Sequence, residues 1–289
     1  MIHAEPFVIH ASTGEVITIK ALGDIHHLQK ASDEDRLISD ILDRPTKQTF
    51  YISMGDSLDS IGGRAHKYFS PMSIKDKFLT GEKPPLNMEL DDLCGIYQKY
   101  TKPSQWIGHI SGNHPLMLMD NGLDLMQNLC ATLKHRYLGY QAYVPIHIIT
   151  PRSDPRYFSL MIFACHGFGG GNARWEGSAL NAYIAHSARY DGWDIALYGH
   201  RHDKWIKPLA RIKPHFNVKS KQRWIIEDIK LVCQTGTYLR TLSKSLYPSY
   251  SEKSGMHPRP LGCINIQFKV VQEADDDGRT KSGVKFINT

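Results

Sequence analysis

The chain has 289 residues, of which 41% are hydrophobic and 22% charged, and its formal net charge is +6. A chain of this length can bury a sizeable core, either as one large α/β domain or as two small ones. No apolar run approaches the ~20 residues needed to span a bilayer, and the N-terminus lacks the basic-then-apolar pattern of a signal peptide. We therefore expect a cytoplasmic protein and no membrane association.

The positive charge is concentrated in one segment, residues 201–223, where eight basic residues accompany a single acid. That segment carries +7, which leaves about −1 for the rest of the chain. Any attraction for polyanions is therefore local. The five cysteines are widely spread and contain no CxxC pair, which predicts buried reduced thiols rather than disulfides or a cysteine–zinc site.

The first two thirds of the chain alternates apolar runs typical of strands with stretches of helical spacing, the rhythm of an α/β domain. The predicted elements are a strand at 16–22, a helix at 33–42, strands at 50–54 and 106–110, a helix at 116–133, a strand at 158–164, a helix at 179–189 and a strand at 195–197. Residues 60–105 contain Gly and Pro breaks, with a helical pattern only at 90–100, and predict an irregular insertion over one edge of the sheet.

The remainder of the chain has little helical signal. Its strand-like pieces lie at 224–226, 229–232, 263–271 and 284–287, and residues 273–278 predict a hairpin loop. We expect a single domain over residues 1–289, with the insertion at about 60–105 and a basic, β-rich segment at about 201–260.

Five of the predicted strands end in a Gly-adjacent turn that carries side chains of the metal-ligand type. In order they are Asp24 and His26, Asp56, Asn113 and His114, His166, and His200 and His202. Because strand carboxyl ends gather along one edge of an open α/β sheet, these side chains are expected to lie together.

Carboxylate, amide oxygen and imidazole suit Mn, Fe, Zn or Ni, and the lack of thiolate argues against a purely structural zinc. One carboxylate, Asp56, could bridge two ions roughly 3.5–4 Å apart, a pair that can activate a water and clamp phosphate oxygens.

In these residues the chain resembles the calcineurin-like metallophosphoesterases. The family pattern of D-x-H, G-D, G-N-H-(D/E), H and G-H-x-H is matched in order between residues 23 and 202. The resemblance implies an α/β fold, a four-layer α-β-β-α sandwich of the metallophosphoesterase type. It also implies two divalent metal ions, with Mn the favoured metal and Fe, Zn, Ni or Mg as alternatives.

The resemblance further implies a role for each matched residue. One metal would be held by Asp24, His26, Asp56 and His202, and the other by Asp56, Asn113, His166 and His200. His114 would be the catalytic residue that approaches the phosphate and assists the leaving group.

Two positions depart from the family pattern. Pro115 stands where an acid usually hydrogen-bonds the histidine, so the imidazolium form of His114 should be less favoured unless Asp59, Asp120 or Asp124 substitutes. Asp59 is otherwise interpreted as an acid at the start of a helix. His27 follows D-x-H where Gly is common, and it is a candidate substrate contact or a rim residue. Arg174 and Arg201 are the other candidate substrate contacts.

The predicted function is a dinuclear metal-dependent phosphoesterase that hydrolyses a phosphate ester by attack of metal-activated hydroxide. Residues 201–223 interleave basic charge with aromatic residues, which favours a phosphodiester and a nucleic-acid partner, although a solvated hairpin would have the same composition. A phosphomonoesterase or protein phosphatase, and a catalytically weak metal-containing nucleic-acid-binding adaptor, are the alternatives. The oligomeric state and the physiological substrate are left open by the sequence.

Overall fold

The computed structural model describes residues 2–59, 70–119, 122–151, 156–169, 177–216, 223–243, 247–253, 255–274 and 280–287. The strands are β1 (Ile2–His3), β2 (Phe7–His10), β3 (Val16–Leu22), β4 (Thr49–Ser53), β5 (Trp106–His109), β6 (Gln141–Ile149), β7 (Tyr157–Cys165), β8 (Ile195–Tyr198), β9 (Trp205–Phe216), β10 (Arg223–Gln234), β11 (Ile264–Ala274) and β12 (Thr280–Ile287). The α-helices are α1 (Glu34–Leu42), α2 (Asp76–Leu79), α3 (Pro85–Tyr100), α4 (Asn113–Met119), α5 (Leu125–Leu133), α6 (Ser178–Ser187) and α7 (Tyr250–Lys253).

The strands form two sheets, so the chain is mixed α/β. In one sheet the order is β12-β11-β3-β4-β5, and β3, β4 and β5 run parallel. In the other the order is β1-β6-β7-β8-β10-β9, with β2 also paired to β6, and β7, β8 and β10 run parallel. Each sheet therefore contains a set of neighbouring strands whose carboxyl ends share an edge.

Three of the four apolar clusters formed by the described residues join these strands and helices. The largest lies between the sheets and contains residues of both, such as Ile19 and Ile52 from one and Ile146 and Leu197 from the other. A second joins β3, β4 and β5 to helices α1, α3 and α5. A third joins β7, β8 and β10 to α6. Helices thus pack against strands of both sheets.

Several element boundaries differ from the sequence-based expectations. The helix expected at 116–133 is two helices, α4 and α5, because the Asp124 carboxylate accepts the Gln127 N–H and starts α5 anew. The insertion contains a 16-residue helix, α3, which is longer than expected and has Pro85 in its first turn. The first two residues of the hairpin loop expected at 273–278 belong to β11, which continues to Ala274; residues 275–279 lie outside the described part.

The basic segment also proves more regular than expected. Strands β9 and β10 pair antiparallel along their whole length of 12 residues. Only the last four residues of β10 pair with β8, so the remainder of the two strands extends from the sheet as a ribbon. All five cysteines are buried free thiols. Among the helices that the structure describes, none is long and apolar enough to cross a membrane.

A stack of three aromatic rings lies where β5 meets α5. Trp106 stacks on His109 at 4.5 Å between ring centroids, and His109 Nε2 lies 2.9 Å from His135 Nδ1. Burial lowers the pKa of His135 to about 4, and burial together with His135 lowers the pKa of His109 well below its ordinary value. The two rings are therefore held neutral at pH 7.

We expect the metal-free protein to lose stability as pH falls from about 6.5 to about 4. Because both folded-state pKa values lie below the unfolded value, the unfolded chain binds more protons in this window, at a cost on the order of 2 kcal/mol. The H135N variant should flatten this part of the profile of urea unfolding against pH. H10N, at an exposed position, is the control, and a wild-type slope in H135N would contradict the prediction.

Candidate metal centre

The loops after β3 and β4 run side by side and carry the buried acids of the site. Asp24 donates its backbone N–H to the Gly55 carbonyl (3.0 Å), and His26 donates its own to the Asp56 carbonyl (2.9 Å). Asp24 and Asp56 are 0% and 2% exposed. The parallel pairing of β3 with β4 therefore fixes the spacing of these two carboxylates.

The loops after β7 and β8 bring histidines from the other sheet. His166 donates its Nδ1–H to the carbonyl of Met54 at the end of β4 (2.7 Å). The backbone N–H of His200 donates to the Asp24 carboxylate (2.9 Å to Oδ2). These contacts join the carboxyl edges of the two sheets at one place.

Five of the seven predicted metal ligands have backbone in the left-handed region, where non-glycine residues are strained by roughly 1–2 kcal/mol each. Their φ values are 51° for Asp24, 49° for His26, 46° for Asp56, 72° for His200 and 60° for His202. Such a concentration of strain is typical of functional sites, where surrounding structure must over-determine the backbone.

The predicted ligands fall into overlapping groups whose donor atoms lie within 4.8 Å of one another. The groups are Asp24, His26 and His202; His26, Asp56 and His114; and Asp56, His166 and His200. Asn113 joins the third group, since its Oδ1 lies 3.0 Å from His166 Nε2 and 2.8 Å from His200 Nδ1. All seven predicted ligands are thus brought together, with Asp56 common to two groups.

The buried acids and the imidazoles of the site shift each other's pKa values. Burial acts to raise the pKa of Asp24, but the neighbouring His202 outweighs it and the pKa lies below its ordinary value. In the same way His166 and His114 lower the pKa of Asp56 well below its usual range. Asp56 in turn outweighs the effect of burial on His166 and raises the pKa of that imidazole to about 9.

The residues present fit a pair of divalent cations. Among the described residues, the buried His26 Nε2 has no hydrogen-bond partner. His200 Nε2 donates to the Gly169 carbonyl (2.8 Å), so in the neutral ring Nδ1 is an acceptor that faces the Asn113 carbonyl oxygen. Acceptors that converge without a donor between them suit a cation.

Asp59 supplies the acid that Pro115 cannot. Its Oδ1 lies 2.7 Å from His114 Nδ1 and 3.0 Å from His26 Nδ1. Burial acts to lower the pKa of His114, but Asp56 and Asp59 outweigh it and raise that pKa to about 9. The imidazolium is therefore favoured, because Asp59, one of the three acids named above as possible substitutes, takes the place of the missing acid. Asp120 lies outside the described part. Residues 60–69 also lie outside it, so whether Asp59 starts a helix stays a prediction.

His27, expected to be a substrate contact or a rim residue, is 0% exposed and so does not lie on the rim. Its Nε2 lies 2.6 Å from Asp92 Oδ2 on α3. His27, Asp92 and Glu34 form a fourth group of possible metal donors. However, Lys77 Nζ already lies 2.8 Å from Asp92 and 2.9 Å from Glu34, so we interpret this group as an ion-pair network.

Arg201 lies against the loop that follows His166. Its Nε donates to the Phe168 carbonyl (3.2 Å), and its guanidinium is 5.9 Å from the Tyr183 ring centroid. Arg174 lies outside the described residues. Trp205, one of the aromatic residues of the basic segment, packs partly buried against the cluster that joins α6 to the sheet. Part of its ring is therefore engaged by this cluster.

Comparison with known proteins adds only distant likenesses. No protein-family model matches the sequence, and curated proteins give no sequence match. Among solved structures, Vps29 of Chaetomium thermophilum is similar at 10% identity and a TM-score of 0.31, over 94% of this chain and 95% of that one. GAP50, the anchor in the inner membrane complex of Plasmodium, is similar at 11% identity and a TM-score of 0.42, over 95% and 90% of the two chains. At these values neither likeness decides the fold or the function.

One acid that the sequence analysis did not name, Glu89, also belongs to the site's surroundings. A signal for Glu89 was present in the sequence: the acid interrupts an apolar stripe formed by Leu86, Leu93 and Ile96 at helical spacing. An acid on the buried face of a helix requires a partner.

We predict that G112A will weaken metal binding at least tenfold, because a Cβ at Gly112 would overlap the Asp56 carboxylate. Calorimetric titration of the chelator-treated protein with Mn²⁺ measures this. G95A is the matched control: Gly95 lies within α3 and a Cβ there meets nothing within 4 Å. It should leave metal binding unchanged and stabilise the protein by about 0.5–1 kcal/mol. Wild-type affinity in G112A would contradict the geometry.

Proposed function

We propose that the protein is a two-metal phosphoesterase of the calcineurin-like type, and that its substrate is a phosphodiester. The observation that carries the proposal is the sharing of Asp56. This carboxylate belongs both to the group with His26 and to the group with His166 and His200, which is the arrangement that a bridged pair of ions requires.

The fold adds support. One apolar cluster contains residues of both sheets, and two more pack helices against strands of each sheet; this is compatible with a four-layer α-β-β-α sandwich. The donor residues lie at the carboxyl ends of parallel strands of both sheets, where ligands bind in α/β proteins.

When bound, two divalent cations would supply Lewis acidity, which favours ionisation of water and stabilises negative charge on phosphate oxygens. Asp24, His26, Asp56 and His202 would hold one ion, and Asp56, Asn113, His166 and His200 the other. The Met54 carbonyl orients His166 through its Nδ1–H, and the Gly169 carbonyl orients His200 through its Nε2–H. These partners set which nitrogen of each ring faces the site.

His114 is suited to place a proton near the leaving group. Its ring is partly exposed, at 31% of the side chain, unlike the buried acids around it. Its Nδ1 is held by Asp59 at 2.7 Å, so the other nitrogen, Nε2, is left to act on substrate. Its raised pKa keeps the imidazole protonated at neutral pH, so a proton is available for the departing oxygen.

The preference for a diester rests on the ribbon of β9 and β10. The ribbon begins three residues after His202, and Lys207 and Arg211 are exposed on it. A basic surface beside the site would attract a polyanion such as a nucleic acid, with an affinity that falls as salt rises.

Replacement of Asp56 or His166 by Ala should abolish chelator-sensitive hydrolysis of a bis-aryl phosphate, because each change removes a shared or central donor. The assay compares bis-aryl with mono-aryl phosphates in Mn²⁺ after metal stripping. E82Q, at an exposed position of the insertion, should keep wild-type activity. Retained activity in D56A would contradict the proposal. In the wild-type protein, a strong preference for the mono-aryl phosphate would favour a monoesterase. Bound metal without turnover would favour an adaptor.

H114Q should slow the hydrolysis of esters with poor leaving groups by about 10²–10⁴-fold, the usual contribution of a general acid. A nitrophenyl ester, whose leaving group needs no proton, should be slowed far less. Steady-state kcat for the two esters tests this, with Mn²⁺ affinity measured in parallel to show that the metal centre is intact. Equal losses on both esters would remove His114 from the role of proton donor.

A further inference from the structure

A buried acid on α3 contacts both loops that carry the metal-site carboxylates. Glu89 is 0% exposed and belongs to none of the donor groups. Its Oε1 accepts the backbone N–H of Leu28 (2.9 Å) and that of Asp59 (2.9 Å). One oxygen therefore joins segments that are separated by about thirty residues in the chain.

The two residues whose N–H groups donate to Glu89 lie close in the chain to proposed metal ligands. Leu28 is two residues beyond His26, and Asp59 is three residues beyond Asp56. The same loops are joined closer to the site by the N–H of His26 to the Asp56 carbonyl (2.9 Å) and by the N–H of His27 to the Ser57 carbonyl (3.2 Å). Glu89 adds a third link between the same two loops, farther from the site. At this point the Asp59 carboxylate faces His26 and His114.

Helix α3 holds the first of these loops at a second point. One turn beyond Glu89, the Asp92 carboxylate lies 2.6 Å from His27 Nε2. The backbone N–H of Lys75, in the same insertion, donates to the Leu28 carbonyl (3.0 Å). The segment from His26 to Leu28 is therefore fixed from the side of the insertion by contacts to side chains and to backbone.

The burial of Glu89 is informative because an isolated acid is unfavourable in a core, whereas an apolar residue would fill the same stripe of α3 without penalty. Burial and the Asp59 carboxylate raise the pKa of Glu89 well above its ordinary value. The neutral acid is thus favoured, and glutamine, which keeps the carbonyl oxygen, is its close mimic.

We propose that Glu89 is a positioning residue for the metal centre: by holding the N–H groups of Leu28 and Asp59 it fixes the geometry of His26 and of the Asp59–His114 contact. This assignment rests on the proposed metal centre. It gives the insertion a function at the site although it supplies none of the metal ligands.

The test measures Mn²⁺ affinity by calorimetry on chelator-treated protein, together with the visible absorption of the Co²⁺-substituted form. E89A should bind Mn²⁺ at least tenfold more weakly, in the range seen when a residue that orients metal ligands is lost, and should shift the Co²⁺ spectrum. E89Q should stay within about threefold of wild type because its amide oxygen can accept the same two N–H groups.

The matched control is L93A. Leu93 is also on α3 and 0% exposed, but packs in the apolar cluster, so its truncation destabilises the same helix without removing a contact to either loop. It should keep wild-type affinity and spectrum. If E89A does not fold, E89M, which fills a similar volume without an acceptor, replaces it with the same expected loss.

Wild-type affinity in E89A or E89M, or an equal loss in L93A, would overturn the role of Glu89 while leaving the metal centre in place. Failure of E89Q to restore binding would also count against it, since the acceptor is then not what matters. A wild-type protein that binds no Mn²⁺ would overturn the proposed function first, and the role of Glu89 with it.

Discussion

The site depends on the burial of three carboxylates, Asp24, Asp56 and Asp59, each at most 3% exposed. Such a concentration of negative charge away from water is strongly unfavourable unless positive charge lies close by. In the chain alone the imidazoles supply that charge, and the raised pKa values of His114 and His166 are the consequence. A divalent cation would compete with protons for the same acids, so metal binding and proton release are coupled here.

The same demand explains the backbone of the site. The loops must turn sharply at the ends of their strands to direct acids and imidazoles toward a common point, and five donor residues adopt positive φ to do so. Strain on this scale persists only where neighbouring contacts hold it. The carbonyl of Asp24, for example, accepts the N–H of Tyr238 and the hydroxyl of Thr237. Residues that follow β10 of one sheet thus help to hold the strained backbone of Asp24, which follows β3 of the other.

The parts of the fold and site that the sequence predicted are those encoded locally. Asp24, Asp56, His166 and His200 follow short apolar runs, and a strand with a ligand at its end can be recognised from a few residues. β6 was missed although its burial alternates, because Pro145 interrupts the pattern. The structure shows why that proline is tolerated: β1 pairs with residues up to Tyr143 and β2 from Ile146 onward, so Pro145 lies between two partners.

What could not be predicted depends on contacts between distant segments. His27 beside a ligand suggested a rim residue, yet its ring is buried against Asp92 from a helix 65 residues later. Three acids could replace the one missing after His114, and the sequence did not decide among them; in the structure Asp59 approaches the ring from another loop. In both cases the residue that decides the chemistry is invisible until the insertion and the loops are packed together.

These contacts change how the insertion is understood. Gly and Pro breaks favoured an irregular covering over one edge of the sheet, but α3 packs its apolar face into the cluster shared with α1, α5 and the sheet. A helix fixed in that way is rigid, and rigid elements hold supporting groups more accurately than loops do. Glu89 and Asp92 belong to this helix and contact the loops after β3 and β4. The positions of these loops are therefore fixed relative to the core as well as relative to each other. The geometry of the proposed metal centre would then depend on the insertion as well as on the strands that carry its donor residues.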